Sequence, residues 1–172
     1  MSFRAIGFLI GLAATITAPP TLVNAQQAIF VVRHSDPPPT LSLDEIRDET
    51  PLSESGQQRA KMLAGRLRDA GITAIYATQA RRTVETAEPL AKRLGIEIRV
   101  QSYHDTDGLV RRLRSEHGSD RILVVGHWST IPLILKAFGD QQPTKIEPTE
   151  YDNLFVVIPH GEQIPAVLHL HY

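Results

Sequence analysis

Apolar runs recur along the chain, and most are followed by a polar turn and a stretch with helical spacing. Gln27-Ala28-Ile29-Phe30-Val31-Val32 predicts a first strand over residues 27–33. Asp36 and Pro37, Pro38 and Pro39 resist helix, so residues 36–51 are expected to form a loop. A helix should start near Ser53–Ser55, bury Ala60, Leu63, Ala64, Leu67 and Ala70, and stop at Gly71. Ile72–Ala77 is a second strand. The next helix, from about Ala80, turns Val84, Ala87, Ala91 and Leu94 inward and ends at Gly95, with Pro89 expected to kink or divide it. Residues 96–100 form a third strand with Glu97 and Arg99 outward, and a weakly apolar helix covers residues 107–117. Ile122-Leu123-Val124-Val125 lies in the most apolar strand, residues 121–126. A helix over 129–138 follows, with Pro132 in its first turn and Gly139 at its end. Residues 150–158 and 166–171 predict two last strands.

Strands alternating with helices imply an α/β fold with a largely parallel sheet. Right-handed crossovers then bring the strand-to-helix loops to one edge of the sheet. Three such loops hold the notable polar residues: Arg33-His34, Thr78 to Arg82, and His127-Trp128-Ser129. An apolar strand ending in an Arg-His pair would leave that pair where open α/β sheets bind ligands.

Charge and composition narrow the choices. A formal net charge of −1 gives no reason to expect a nucleic-acid or anionic-membrane partner. The absence of cysteine removes disulfides, thiolate metal sites and a cysteine nucleophile. Arg4, the uncharged stretch Ala5–Ala18 and Val23-Asn24-Ala25 read as a signal peptide over residues 1–25, cut after Ala25. The apolar stretch is shorter than the roughly 20 residues of a spanning helix, and Pro19-Pro20 ends it. Export to the periplasm or the medium is therefore expected, with one domain over 26–172 and no membrane span after cleavage.

Arg33, His34, Arg82 and His127 together suit a phosphoryl group. Arginine stays protonated and grips phosphate oxygens in a fixed fork. Histidine titrates near neutrality, so one ring can attack while another donates. Such a pocket could neutralise the transferring phosphoryl without a metal, and a helix start at Ser129 would add backbone N–H groups.

The blocks that carry these residues resemble the histidine phosphatase superfamily, with its phosphoglycerate mutase-like fold, a three-layer α/β/α sandwich with a mostly parallel sheet. Arg33-His34 is similar to its first-strand signature, and Leu52 to Ala60 to its Leu-Thr-x-x-Gly-x-x-Gln-Ala helix start. Tyr76 to Ala87 resembles the block whose phosphate-binding arginine falls on Arg82, and Val124-Val125-Gly126-His127 the block with the second histidine. The resemblance implies a histidine acid-type phosphatase, metal-independent and needing no cofactor, that hydrolyses phosphomonoesters or phosphoramidates through a phosphohistidine on His34. Arg33, Arg82 and His127 would hold the phosphoryl oxygens, and a carboxylic acid would protonate the leaving group. Asp105 best matches the position of that acid, with Asp107 second. The sequence departs from the pattern in two places: Ser35 stands where Gly is usual, and the glutamate donor is missing. That loss motivates an alternative, a catalytically inactive module that binds phosphate or a phosphoprotein. The expected partner is a small phosphorylated substrate or a phosphoprotein.

The remaining polar residues are weighed against plainer roles. Ser35 and Thr78 either contact substrate or cap turns, and Trp128 is expected to offer its backbone N–H. Arg81 is expected to be a solvated helix residue, His104 and His117 surface histidines, and Glu150-Tyr151-Asp152 structural. His169 and His171 share a strand face, too few ligands for a metal site. Gly126-His127-Trp128-Ser129-Thr130 lacks the spacing and closing glycine of a serine-hydrolase turn.

Overall fold

The computed structural model describes residues 27–142, 144–160 and 163–172. The expected leader, residues 1–25, lies outside them. A six-stranded sheet forms the middle layer, built from β1 (Ala28–Arg33), β2 (Ala74–Thr78), β3 (Ile98–Gln101), β4 (Arg121–Gly126), β5 (Asn153–His160) and β6 (Gln163–His171). The strand order is β3-β2-β4-β1-β5-β6. The first four strands run parallel, and β5 and β6 add an antiparallel pair beside β1.

Helices cover both faces because the strands alternate their burial. Val32, Ile75, Ala77, Leu123 and Val125 pack against Leu63, Ala64 and Leu67 of α1 (Glu54–Leu67) and Ala87, Leu90 and Ala91 of α2 (Arg81–Leu94). Val31, Tyr76, Ile122 and Val124 face Leu109, Val110 and Leu113 of α3 (Thr106–Glu116) and Ile131, Ile134 and Leu135 of α4 (Ile131–Ala137). The helix after β1 therefore leaves on one face and the helix after β4 on the other. Since β1 and β4 are neighbours, their carboxyl ends form the crevice where such sheets reverse direction.

Several local expectations need correction. Helix α1 begins after its Ser53 cap, as expected, but ends at Leu67 with Arg68 as its C-cap; Gly71, at φ 69°, turns the chain toward β2 instead of stopping the helix. Pro89 does not divide α2, which runs unbroken from Arg81 to Leu94 and stops at a left-handed Gly95. Helix α4 starts at Ile131, not Ser129, because the Thr130 hydroxyl turns back to accept from the His127 N–H. His117 is not a surface residue. It is buried, its Nε2 bonded to the Tyr76 hydroxyl at 2.9 Å and its Nδ1 to Asp120 at 2.6 Å. Nε2 thus ties the end of α3 to β2 and Nδ1 ties it to the turn before β4, which spacing along α3 alone could not reveal. Among the described residues no helix is long and apolar enough to cross a membrane.

Candidate active site

Register builds the site. Arg33 pairs with Gly126 across β1 and β4, and the His34 N–H donates to the Gly126 carbonyl at 2.9 Å. His34 and His127 thus leave adjacent strands at the same level, with ring centroids 5.3 Å apart. Ala77 pairs with Val125 on the other side of β4, which sets Thr78 and the start of α2 beside His127. All four residues singled out by the sequence are buried here: Arg33, His34, Arg82 and His127 are at most 9 % exposed.

Each histidine has its tautomer set by a neighbour. His34 Nδ1 lies 2.8 Å from the Ser35 carbonyl. A carbonyl only accepts, so Nδ1 carries the proton and Nε2 keeps its lone pair. Burial pushes the His34 imidazolium well below the ordinary histidine range, and the charges of Arg33, His127 and Arg82 add to this; the backbone hydrogen bond opposes it. For His127, Nε2 bonds to the Thr78 hydroxyl at 2.8 Å, while Arg82 Nη2 approaches Nδ1 at 3.4 Å. An arginine only donates, so the His127 proton sits on Nε2. Desolvation, then Arg82 and Arg33, lower His127 to about 4. Both rings are neutral at neutral pH.

The arginines are cations held by backbone oxygens. Arg33 Nη1 donates to the carbonyls of Glu147, Pro148 and Glu150, at 3.2, 2.7 and 2.9 Å. Arg82 Nη1 donates to the Arg47 carbonyl at 2.8 Å. Burial lowers both guanidinium groups from their ordinary value. Each also has a buried Nε with no hydrogen-bond partner among the described residues. Two partly satisfied cations facing two neutral rings form a pocket for an anion.

The other expected site residues divide. Thr78 holds His127 in place and continues through the Thr83 hydroxyl at 2.9 Å, which positions the ring from behind. Ser35 is fully buried, with its N–H on the Thr86 hydroxyl at 2.9 Å. Trp128 is 45 % exposed beside His127, and its neighbour Ser129 is also exposed. Asp105 is the N-cap of α3: Oδ1 accepts from the Gly108 N–H at 2.9 Å and Oδ2 from Gln101 Nε2 at 3.3 Å. No hydrogen bond or ring contact among the described residues joins it to His34. Asp107 is exposed in the first turn of the same helix. Arg81 forms an exposed pair with Glu85, and His169 and His171 lie on the exposed strand β6.

The segment expected to be merely structural supplies a wall of the site. The Arg33 guanidinium lies 3.9 Å above the centre of the Tyr151 ring, and the His34 ring is 5.7 Å from it. Antiparallel β5 starts at the edge where β1 ends, with Leu154 opposite Val32, so the residues just before β5 reach the Arg33-His34 turn. An aromatic residue ahead of a strand antiparallel to β1 was the available signal. On the other flank, the Tyr103 ring lies 5.8 Å from His127.

A family model described as histidine phosphatase superfamily (branch 1) matches residues 29–103, a span that includes Arg33-His34 and Arg82. Over that segment, somewhat less than half of its length, the chain is similar to this superfamily. Solved phosphatases repeat its fold. The protein histidine phosphatase SixA, in complex with tungstate, superposes with a TM-score of 0.68 at 16% identity, covering 84% of this chain and 96% of that one. The mycobacterial glucosyl-3-phosphoglycerate phosphatase Rv2419c, with inorganic phosphate, gives 0.64 at 16% identity over the same shares. A protein named mycobacterial hydrolase 1 gives 0.63 at 15% identity, covering 84% of this chain and 98% of that one. No curated protein matches the sequence. The six-stranded, mostly parallel sheet flanked by helices is that of the phosphoglycerate mutase-like histidine phosphatases.

Proposed function

We propose that the protein is a phosphatase that hydrolyses phosphomonoesters through a phosphohistidine on His34. The observation that carries this is the tautomer of His34: its proton is fixed on Nδ1 by the Ser35 carbonyl, and the ring is neutral among cations. Nε2 is then a nucleophile at neutral pH. Its lone pair forms the P–N bond as the P–O bond to the leaving group breaks, and the departing alkoxide takes its proton from solvent water. The Ser35 carbonyl supports the positive charge the ring then gains. Arg33, Arg82 and His127 surround the three oxygens of the transferring phosphoryl. Water next attacks the phosphorus, releasing inorganic phosphate and the neutral ring. None of these steps calls on a metal.

His34→Ala should abolish turnover of a generic phosphomonoester, and brief incubation of the wild type with labelled substrate should trap an acid-labile phosphoprotein. Full activity in His34→Ala would overturn the assignment. A second reading, an inactive phosphate- or phosphoprotein-binding module, is favoured by one observation: the best-placed acid, Asp105, has both oxygens engaged in capping α3. It requires a wild type that binds orthovanadate yet turns over no phosphoester or phosphoramidate. Residues 1–25 read as an export leader, which supports a periplasmic or secreted location. The mass of the protein recovered from envelope and medium tests cleavage after Ala25.

A further inference from the structure

A groove of about 290 Å³ opens beside the phosphoryl pocket, and Tyr151 belongs to both. Its walls are the proline-rich turn Pro37–Pro39, Leu41, Leu43 and Ile46 together with Pro148, Thr149 and Tyr151. Its polar lining is Asp36 and the residues Ser42, Ser55 and Thr149, with no lysine, arginine or histidine among the described residues. The Asp36 carboxylate is already paired with Arg59 at 2.5 Å. Of residues 36–46, which supply that wall, Asp36, Asp44 and Glu45 are acidic and none is basic.

We infer that this groove holds the leaving group of the substrate, and that the preferred substrate is a phosphomonoester whose only charged group is the phosphate and whose remainder is apolar. The inference rests on the phosphatase reading and narrows it. Continuity decides where the leaving group goes: the ring that stacks on Arg33 and flanks His34 is also a wall of the groove. Charge decides what it is. Among the described residues the groove's lining holds no cation, and its one charged member, Asp36, is already paired with Arg59, so a second anionic group would find nothing on these walls to pair with it. Prolines and leucines with half-exposed faces, Leu43 being 54% exposed, gain by covering apolar carbon.

A matched pair of substrates tests this on the whole protein: hexyl phosphate and its ω-carboxylated analogue, whose leaving alcohols have nearly the same basicity. The expected result is a kcat/KM at least about tenfold higher for the uncharged ester, rising along the series ethyl, butyl, hexyl. Leu43→Lys, at an exposed position that should not disturb folding, should shrink or invert that ratio. Equal or better turnover of the carboxylated ester by the wild type, with no rise along the alkyl series, would overturn the groove assignment and leave the phosphatase standing. Failure to turn over any ester, with or without orthovanadate binding, would bring down both.

Discussion

His34 and His127 face the same cations but carry their protons on opposite nitrogens, and that difference separates their roles. His34 has a free Nε2 and a proton locked away on Ser35. His127 has no free N–H: its proton is on Thr78 and Arg82 leans on its other nitrogen. An arriving phosphoryl would draw the Arg82 guanidinium to itself and expose Nδ1 to an anion. The Arg82 charge, which adds to desolvation in lowering His127, would then be offset, and the ring should take up a proton and donate it to an oxygen. The predicted outcome is a titration midpoint for His127 near 4 in the free protein, rising by more than one unit in saturating orthovanadate. Imidazole nitrogen shifts in an NMR titration report both values. An unchanged midpoint would mean that His127 does not touch the anion. His34, lowered even in the free protein, should stay neutral down to clearly acid pH, so loss of turnover near pH 6.5 would not come from it.

Among the elements, α3 tells most about what the sequence could convey. Asp105 fits two patterns at once: an acid after the third strand, and an N-cap three residues ahead of Gly108. The sequence alone does not choose between them, since both rest on an aspartate before a helix. The structure shows both oxygens in the cap. Asn caps as well as Asp, whereas Ala does not. Asp105→Asn should therefore keep both stability and kcat, and Asp105→Ala should lose about 1 kcal/mol of stability with kcat unchanged. Denaturant titration and steady-state rates separate the cases, and a large fall in kcat for Asp105→Asn with a basic leaving group would restore it as the acid. The blocks around β1, α1, β2 and β4 were legible because each combines a buried strand with a turn at its carboxyl end, a local signal. Tyr151 was not legible in that way. Its contact with Arg33 depends on β5 pairing antiparallel with β1, a contact set by topology across more than a hundred residues. His117 failed for the same reason: it caps α3, and its partner Tyr76 lies on β2, far away in sequence. The start of α4 depended on one hydroxyl of Thr130 turning back on His127.

On the scale of the whole molecule, the pocket should be a source of instability that an anion relieves. Arg33 and Arg82 are buried cations, each with an unpartnered Nε, and their mutual repulsion contributes to the lowering of Arg33. Both pocket histidines are held neutral. Because their folded values lie below the ordinary one, the unfolded chain binds more protons as pH falls below about 6.5, so stability is full above that pH and declines through the range down to the folded values. A bound phosphate-like anion acts in the opposite sense on both counts, since it pairs the arginines and favours protonated His127. At a hundredfold excess over its Kd it should add about 2.7 kcal/mol, which for a domain of this size corresponds to a rise in Tm of about 5–10 °C. Arg82→Met removes one buried cation and keeps much of its volume. Such replacements are often neutral or stabilising, so the free variant should melt at or above the wild-type temperature, while the response to orthovanadate should largely disappear. Thermal melts of both proteins with and without the anion check the pair of expectations together. A free Arg82→Met protein much less stable than wild type would make the bond from Arg82 to the Arg47 carbonyl a structural strut for the 36–51 loop, and the unpartnered Nε would no longer count as a cost borne for binding.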